Sequence, residues 1–159
     1  MRLASAVVAI GLAMLSGDAA GGERLFFATA KPGPVHATPL QPFTVDLVVE
    51  RSDAAAQMSA VAYTLAVPDG ILLVGEELLV DSLLGLGSSL EGMNLVFQCT
   101  KTTPLPVLRF RFVATRPVRD AVVALRPEPL THFLGFVSCK EENFLKFKTA
   151  PDSFVVNAR

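Results

Sequence analysis

The 159-residue sequence predicts an all-β protein, an antiparallel β-sandwich of jelly-roll or immunoglobulin-like type with about eight or nine strands. Three observations lead there. Short segments alternate apolar and polar residues with a period of two, which puts one set of side chains on a single face. Proline and glycine, eleven of each, punctuate those segments at fairly regular spacing. No repeat is visible, and no long helical pattern interrupts the series.

The chain begins with what reads as a secretory signal over residues 1–19. Met1-Arg2 gives a short positive start, Leu3–Leu15 is almost wholly apolar, and Ser16–Ala20 supplies small residues for cleavage. Gly17 and Ala19 suit a cut after Ala19, with cuts after Ala20 or Gly21 as alternatives. The rival reading, an apolar first strand, suffers from the alanines, which make poor strands. The apolar core is short against the roughly 20 residues of a membrane helix, and no later segment is long enough to span. The expectation is an exported chain in the periplasm, at the cell surface or outside the cell, with one domain over 20–159. About 140 residues suit one sizeable core.

The strands follow in order. Arg24–Ala30 is a first candidate, and the proline-rich stretch Lys31–Leu40 reads as loop. Pro42–Glu50 is the clearest strand, with Phe43, Val45, Leu47 and Val49 on one face. Met58–Val67 sets Val61, Tyr63, Leu65 and Val67 opposite small residues, and Pro68-Asp69-Gly70 stops it. Ile71–Val74 is short and apolar. Leu95, Phe97 and Cys99 share a face farther on. In Val107–Ala114, Leu108, Phe110 and Phe112 alternate with Arg109 and Arg111. Val118–Leu125, Phe133–Cys139, Asn143–Thr149 and Ser153–Asn157 complete the set, with Lys146 and Lys148 opposite Leu145 and Phe147.

Gly75–Gly92 departs from the rhythm. Leu79, Leu83, Leu86 and Leu90 recur at helical spacing, which predicts a short helical or irregular crossover near 76–90, although Gly85 and Gly87 weaken a continuous helix. Such a segment either plugs one end of the sandwich or offers an apolar strip to a partner. Arg109 and Arg111 are the second candidate interaction surface, because arginine anchors many interfaces, against the plainer reading of a solvated strand face.

The element order resembles that of the cohesin-like and carbohydrate-binding β-sandwich group of secreted bacterial proteins. The carriers are Phe43-Thr-Val-Asp-Leu-Val-Val and, after a variable loop, Ala60-Val-Ala-Tyr-Thr-Leu-Ala-Val-Pro-Asp-Gly-Ile. The resemblance spans Phe43–Asn157 and is most specific over Val61–Leu72. It implies a jelly-roll-like sandwich of about nine strands that binds a protein module or a glycan. No binding residues carry over from it, and the chain has no dockerin-like calcium repeat.

Chemistry finds little purchase in the sequence. A net charge of −1 with no run of like charge argues against nucleic acid and anionic membranes as partners. A serine hydrolase needs an imidazole base, for which only His36 and His132 are present, and there is no Gly-x-Ser-x-Gly elbow. The histidine spacing suits no zinc site. Asp46, Glu50, Asp53, Glu76, Glu77, Asp81, Glu141 and Glu142 could supply oxygens to calcium, but none forms an EF-hand-like loop. No cofactor is expected. Glycan recognition favours flat aromatic platforms, and the chain has no Trp and one Tyr, although polar side chains could still hold a sugar.

Cys99 and Cys139 are the two cysteines. In an exported chain they read first as a disulfide, with a metal or redox pair as the alternative. The reading that results is a non-catalytic binding or structural module of the bacterial envelope or secretome that contacts another protein. A carbohydrate-binding domain is the alternative, and a hydrolytic enzyme comes third.

Overall fold

The computed structural model describes residues 23–52, 57–140 and 143–159. The expected signal segment and its cleavage positions lie outside them, as do Asp53 and the Glu141-Glu142 pair. The described residues form twelve strands and no helix: β1 (Arg24–Ala28), β2 (Val35–Ala37), β3 (Pro42–Glu50), β4 (Gln57–Ala66), β5 (Ile71–Leu78), β6 (Ser82–Ser88), β7 (Gly92–Thr100), β8 (Leu105–Ala114), β9 (Val118–Arg126), β10 (Gly135–Lys140), β11 (Asn143–Lys148) and β12 (Ser153–Ala158).

They make two sheets. The smaller has the order β1-β3-β8-β5, and the larger runs β11-β10-β4-β9-β12-β2, with β7 added to β4 and β6 to β7. Every pairing is antiparallel except that of β12 with β2. The alternation seen in the sequence explains which side faces in. On β3, Val45, Leu47 and Val49 are buried, and on β8 so are Leu108, Phe110 and Phe112, while Arg109 and Arg111 point out.

The facing sheet contributes Val61, Tyr63, Leu65, Leu95, Phe97, Phe136, Phe154 and Val156 to one continuous core. Aromatic rings join the two layers. Phe110 of β8 lies 6.0 Å from Tyr63 of β4, and Phe27 of β1 lies 4.9 Å from Phe154 of β12, both edge to face. Tyr63 is fully buried, and its hydroxyl and that of Ser89 share a hydrogen bond of 2.7 Å. Burial raises the phenol's pKa above its ordinary value, so the hydroxyl stays protonated.

Two strands fall in segments the pattern assigns elsewhere. β2 interrupts the proline-rich loop, drawn in by parallel pairing with the last strand. β6 replaces the helical crossover, and this is a correction. Leu84 stands opposite Val96 and Leu86 opposite Asn94 on β7, so leucines two apart, not three or four, share a face. A helix here would carry both Gly85 and Gly87 at about 1 kcal/mol each. A hairpin instead uses Gly87 and Gly92, which have φ +87° and +123° around the Ser88–Glu91 turn, conformations that side chains with a Cβ disfavour.

Candidate functional site

The arginine stripe lies on the outer face of the smaller sheet. Asp46 on β3 stands in register with Arg109, and the pair is bidentate: Nε donates to Oδ1 at 2.8 Å and Nη2 to Oδ2 at 3.0 Å. That hydrogen bond and the charge of Asp46 raise the guanidinium's pKa further, with Glu77 on β5 adding to it. Arg111 lies over Gly75, where an added Cβ would come within 3.3 Å of its guanidinium. Arg24 pairs with Glu50 at 3.6 Å on the same sheet. Two arginines of this face, Arg24 and Arg109, are thus committed within the chain.

The four leucines of the predicted strip do not form one stripe. Leu79 is half-buried on the connection after β5, and its N–H donates to the Val107 carbonyl at 2.9 Å. Leu83 and Leu86 are exposed on β6, and Leu90 is exposed in the hairpin turn. Leu84, which helical spacing passes over, is half exposed beside them.

A different surface emerges from the register of the larger sheet. Residues paired across strands share a face, so Leu84, Val96, Ala60, Val137 and Lys146 form one row from β6 through β7, β4 and β10 to β11. Leu86, Asn94, Ala62, Gly135 and Lys148 form the next. The centre is small and, Asn94 apart, apolar, which makes it flat, and Lys146 and Lys148 give it a basic edge. No Tyr or Trp stands on these rows. Sequence reading missed this surface because its members come from five strands; the small residues opposite Val61 and Tyr63 were the one signal available.

Both ends of the surface are held. Cys99 of β7 and Cys139 of β10, the strands that flank β4, form a disulfide with Cα atoms 6.3 Å apart. At the other end, besides the Tyr63–Ser89 bond, the Leu65 N–H donates to the Ser89 carbonyl at 2.6 Å, which ties the β6–β7 turn to β4. Gly92 in that turn packs against the loop after β9, where an added Cβ would meet Pro129 at 2.8 Å and a Glu128 carboxylate oxygen at 3.0 Å.

Glu128 organises that loop. Its carboxylate accepts from the Leu130 N–H at 3.0 Å, the Thr131 N–H at 2.7 Å and the Thr131 hydroxyl at 2.6 Å. The Thr131 hydroxyl first, then the two amides, hold its pKa below the usual carboxylate range. A depressed folded pKa contributes stability that is present above the unfolded value of about 4.3 and lost as pH falls through the folded one. Urea midpoints should therefore drop more steeply for the natural protein than for Glu128→Gln as pH is lowered past that value. Parallel curves would contradict the assignment.

The same loop decides how the histidines stand. His132 lies beside Glu128 and donates its backbone N–H to the Glu128 carbonyl at 2.8 Å, but both carboxylate oxygens are engaged in the turn. His36 sits on β2, opposite Asn157. Among the described residues no three His, Cys, Asp or Glu gather closely enough to hold a metal ion, and no helix is long and apolar enough to cross a membrane.

No family model matches the sequence, and neither does any curated protein. Solved structures do. A cohesin module of a Clostridium perfringens family 33 glycoside hydrolase is similar with a TM-score of 0.60 at 11% identity, over 87% of this chain and 98% of that one. The seventh ScaB type I cohesin of Pseudobacteroides cellulosolvens gives 0.58 at 13% identity, over 87% and 94%. The sixth scaffoldin B cohesin of Acetivibrio cellulolyticus, solved with a Cel5 dockerin, gives 0.56 at 10% identity, over 87% and 99%. At such identities the shared property is architecture, and the chain folds as a cohesin-like β-sandwich.

Proposed function

We propose that this chain is a non-catalytic module of the exported compartment, and that it holds another protein against the outer face of its larger sheet. The observation that carries the reading is the flat apolar row from Leu84 through Val96 and Ala60 to Val137, ended by Lys146. A flat centre with few charges and a polar rim is the anatomy of a protein interface. The smaller sheet offers the opposite, a charged face on which Arg24 pairs with Glu50 and Arg109 with Asp46.

Two further lines support it. The sixth scaffoldin B cohesin of Acetivibrio cellulolyticus and the third ScaB cohesin of R. flavefaciens, similar in architecture, were each solved in complex with a dockerin. Export draws its support from the signal-like start and from the disulfide, which suits an oxidising compartment. A carbohydrate-binding role has no exposed Tyr or Trp platform on these rows in its favour.

The test is capture of a partner from envelope and secreted fractions with three forms of the protein: natural, Ala60→Arg and Arg111→Ala. A partner retained by the natural form and by Arg111→Ala, but lost by Ala60→Arg, supports this face. Loss on the Arg111 change alone would move the site to the smaller sheet. Retention on polysaccharide with no protein captured would favour the glycan alternative.

A further inference from the structure

Seven of the ten exposed large hydrophobic residues described fall between residues 72 and 90, on the flank of the sandwich where β5 and β6 end their sheets. The two edges differ. β5 carries Glu76 and Glu77, and Glu76 stands in register with the core residue Phe110, an inward-side charge of the kind that discourages edge pairing. β6 carries no such protection. Its seven residues, Ser-Leu-Leu-Gly-Leu-Gly-Ser, include no charge and no proline, and six of them are exposed. Its backbone pairs with β7 alone, which leaves the other edge open over about 23 Å.

The other edges are all blunted. β1 carries Arg24, and its Phe27 N–H is taken by the Asp152 carboxylate at 2.7 Å. β11 carries Lys146 and Lys148, and β2 has only three residues. An edge strand that pairs with itself antiparallel does so most readily without charge near its centre, because a residue there faces its own copy or the residue equally far on the other side of the axis. Among the described edges longer than three residues, β6 alone carries no charge. A pairing centred on Gly85 sets Leu84 of each copy opposite Leu86 of the other, apolar against apolar.

We infer that two copies of this chain pair antiparallel through β6, joining their larger sheets into one continuous sheet. The contact is isologous, so it closes as a dimer and leaves no second open β6 edge for growth. It also sets two copies of the flat face side by side, so a partner with two docking segments would gain avidity. Asp81 and Glu91, which bracket β6, lie at the rim of the contact, so added salt strengthens the pairing.

Sedimentation equilibrium of the purified protein tests this, without any other partner present. The natural protein should show twice the monomer mass. Leu84→Lys/Leu86→Lys and Leu84→Glu/Leu86→Glu should each halve it, and an equimolar mixture of the two should restore it. Ala60→Arg, aimed at the face and not the edge, should leave the dimer intact, which separates this inference from the partner-binding reading. A monomeric natural protein at its highest soluble concentration would overturn the inference, as would a lysine variant that stays dimeric or a mixture that stays monomeric. Amide exchange in the unaltered protein is the check that no folding defect can confuse. Exchange over residues 83–87 should slow as concentration rises, and exchange independent of concentration would overturn the pairing.

Discussion

Replacing both cysteines, Cys99→Ser with Cys139→Ser, should lower the stability of the fold by about 4 kcal/mol if the chain-entropy account of disulfides holds here. The bond closes a loop of 40 residues between β7 and β10, strands that pair with opposite edges of β4 and, among the described pairings, not with each other. Most of the loss arises in the unfolded chain, which gains freedom when the loop opens. The variant should therefore also show a steeper dependence on urea, because its denatured state exposes more surface. For a domain of this size a loss of that order moves the melting midpoint by roughly 10–20 °C. Two measurements check the result: urea titrations of oxidised and variant protein, and thiol alkylation of the unreduced protein followed by mass spectrometry. Stabilities within about 1 kcal/mol of each other would contradict the clamp. Alkylation of both thiols without reduction would contradict the bond.

Phe110→Ala should cost a similar amount, about 3–5 kcal/mol, by a different route. Phe110 is completely buried on β8 and touches Phe27 at 6.4 Å, Phe112 at 6.0 Å and, across the sandwich, Tyr63 at 6.0 Å. Truncation leaves a cavity at the junction of the two layers, and Tyr63 has little room to close it because its hydroxyl is fixed to Ser89. Here the urea midpoint should fall with its slope unchanged, the reverse of the disulfide pattern. Since whole domains are stable by only about 5–15 kcal/mol, the alanine variant could unfold outright. Phe110→Leu, which keeps most of the volume, should fold and show a smaller loss. Equal stability of natural and alanine forms would mean that Phe110 is not the contact between layers that the structure describes.

How much of this was legible beforehand depends on where each residue stands. β3 and β8 were readable because one face is buried and the other wet, so Phe43–Val49 and Leu108–Phe112 alternate cleanly. β6 was not. It is an edge strand with leucines and glycines exposed on both sides, so no buried face is set against a wet one in Ser82–Ser88. Leu79, Leu83, Leu86 and Leu90 happen to fit helical spacing, while the pair that matters structurally, Leu84 and Leu86, is set by register with β7.

The binding surface shows the same limit. Arg109 and Arg111 were visible as an outward stripe, but only strand pairing reveals that Asp46 already occupies Arg109. Ala60, Val96 and Val137 are unremarkable one at a time. They become a surface when β4 receives β7 on one edge and β10 on the other. The disulfide was legible from the even cysteine pair once the sequence was read as that of an exported chain.

The reading of the chain as a protein-binding module stands or falls on that surface. The most direct measurement is the dissociation constant of a captured partner for the natural protein, Ala60→Arg and Arg111→Ala, determined by calorimetry on proteins with matched circular dichroism. A charged side chain at the centre of a docked face should weaken binding by about thirtyfold or more, while the change on the smaller sheet should alter it little. Equal affinity for the natural and Ala60→Arg forms would contradict the account.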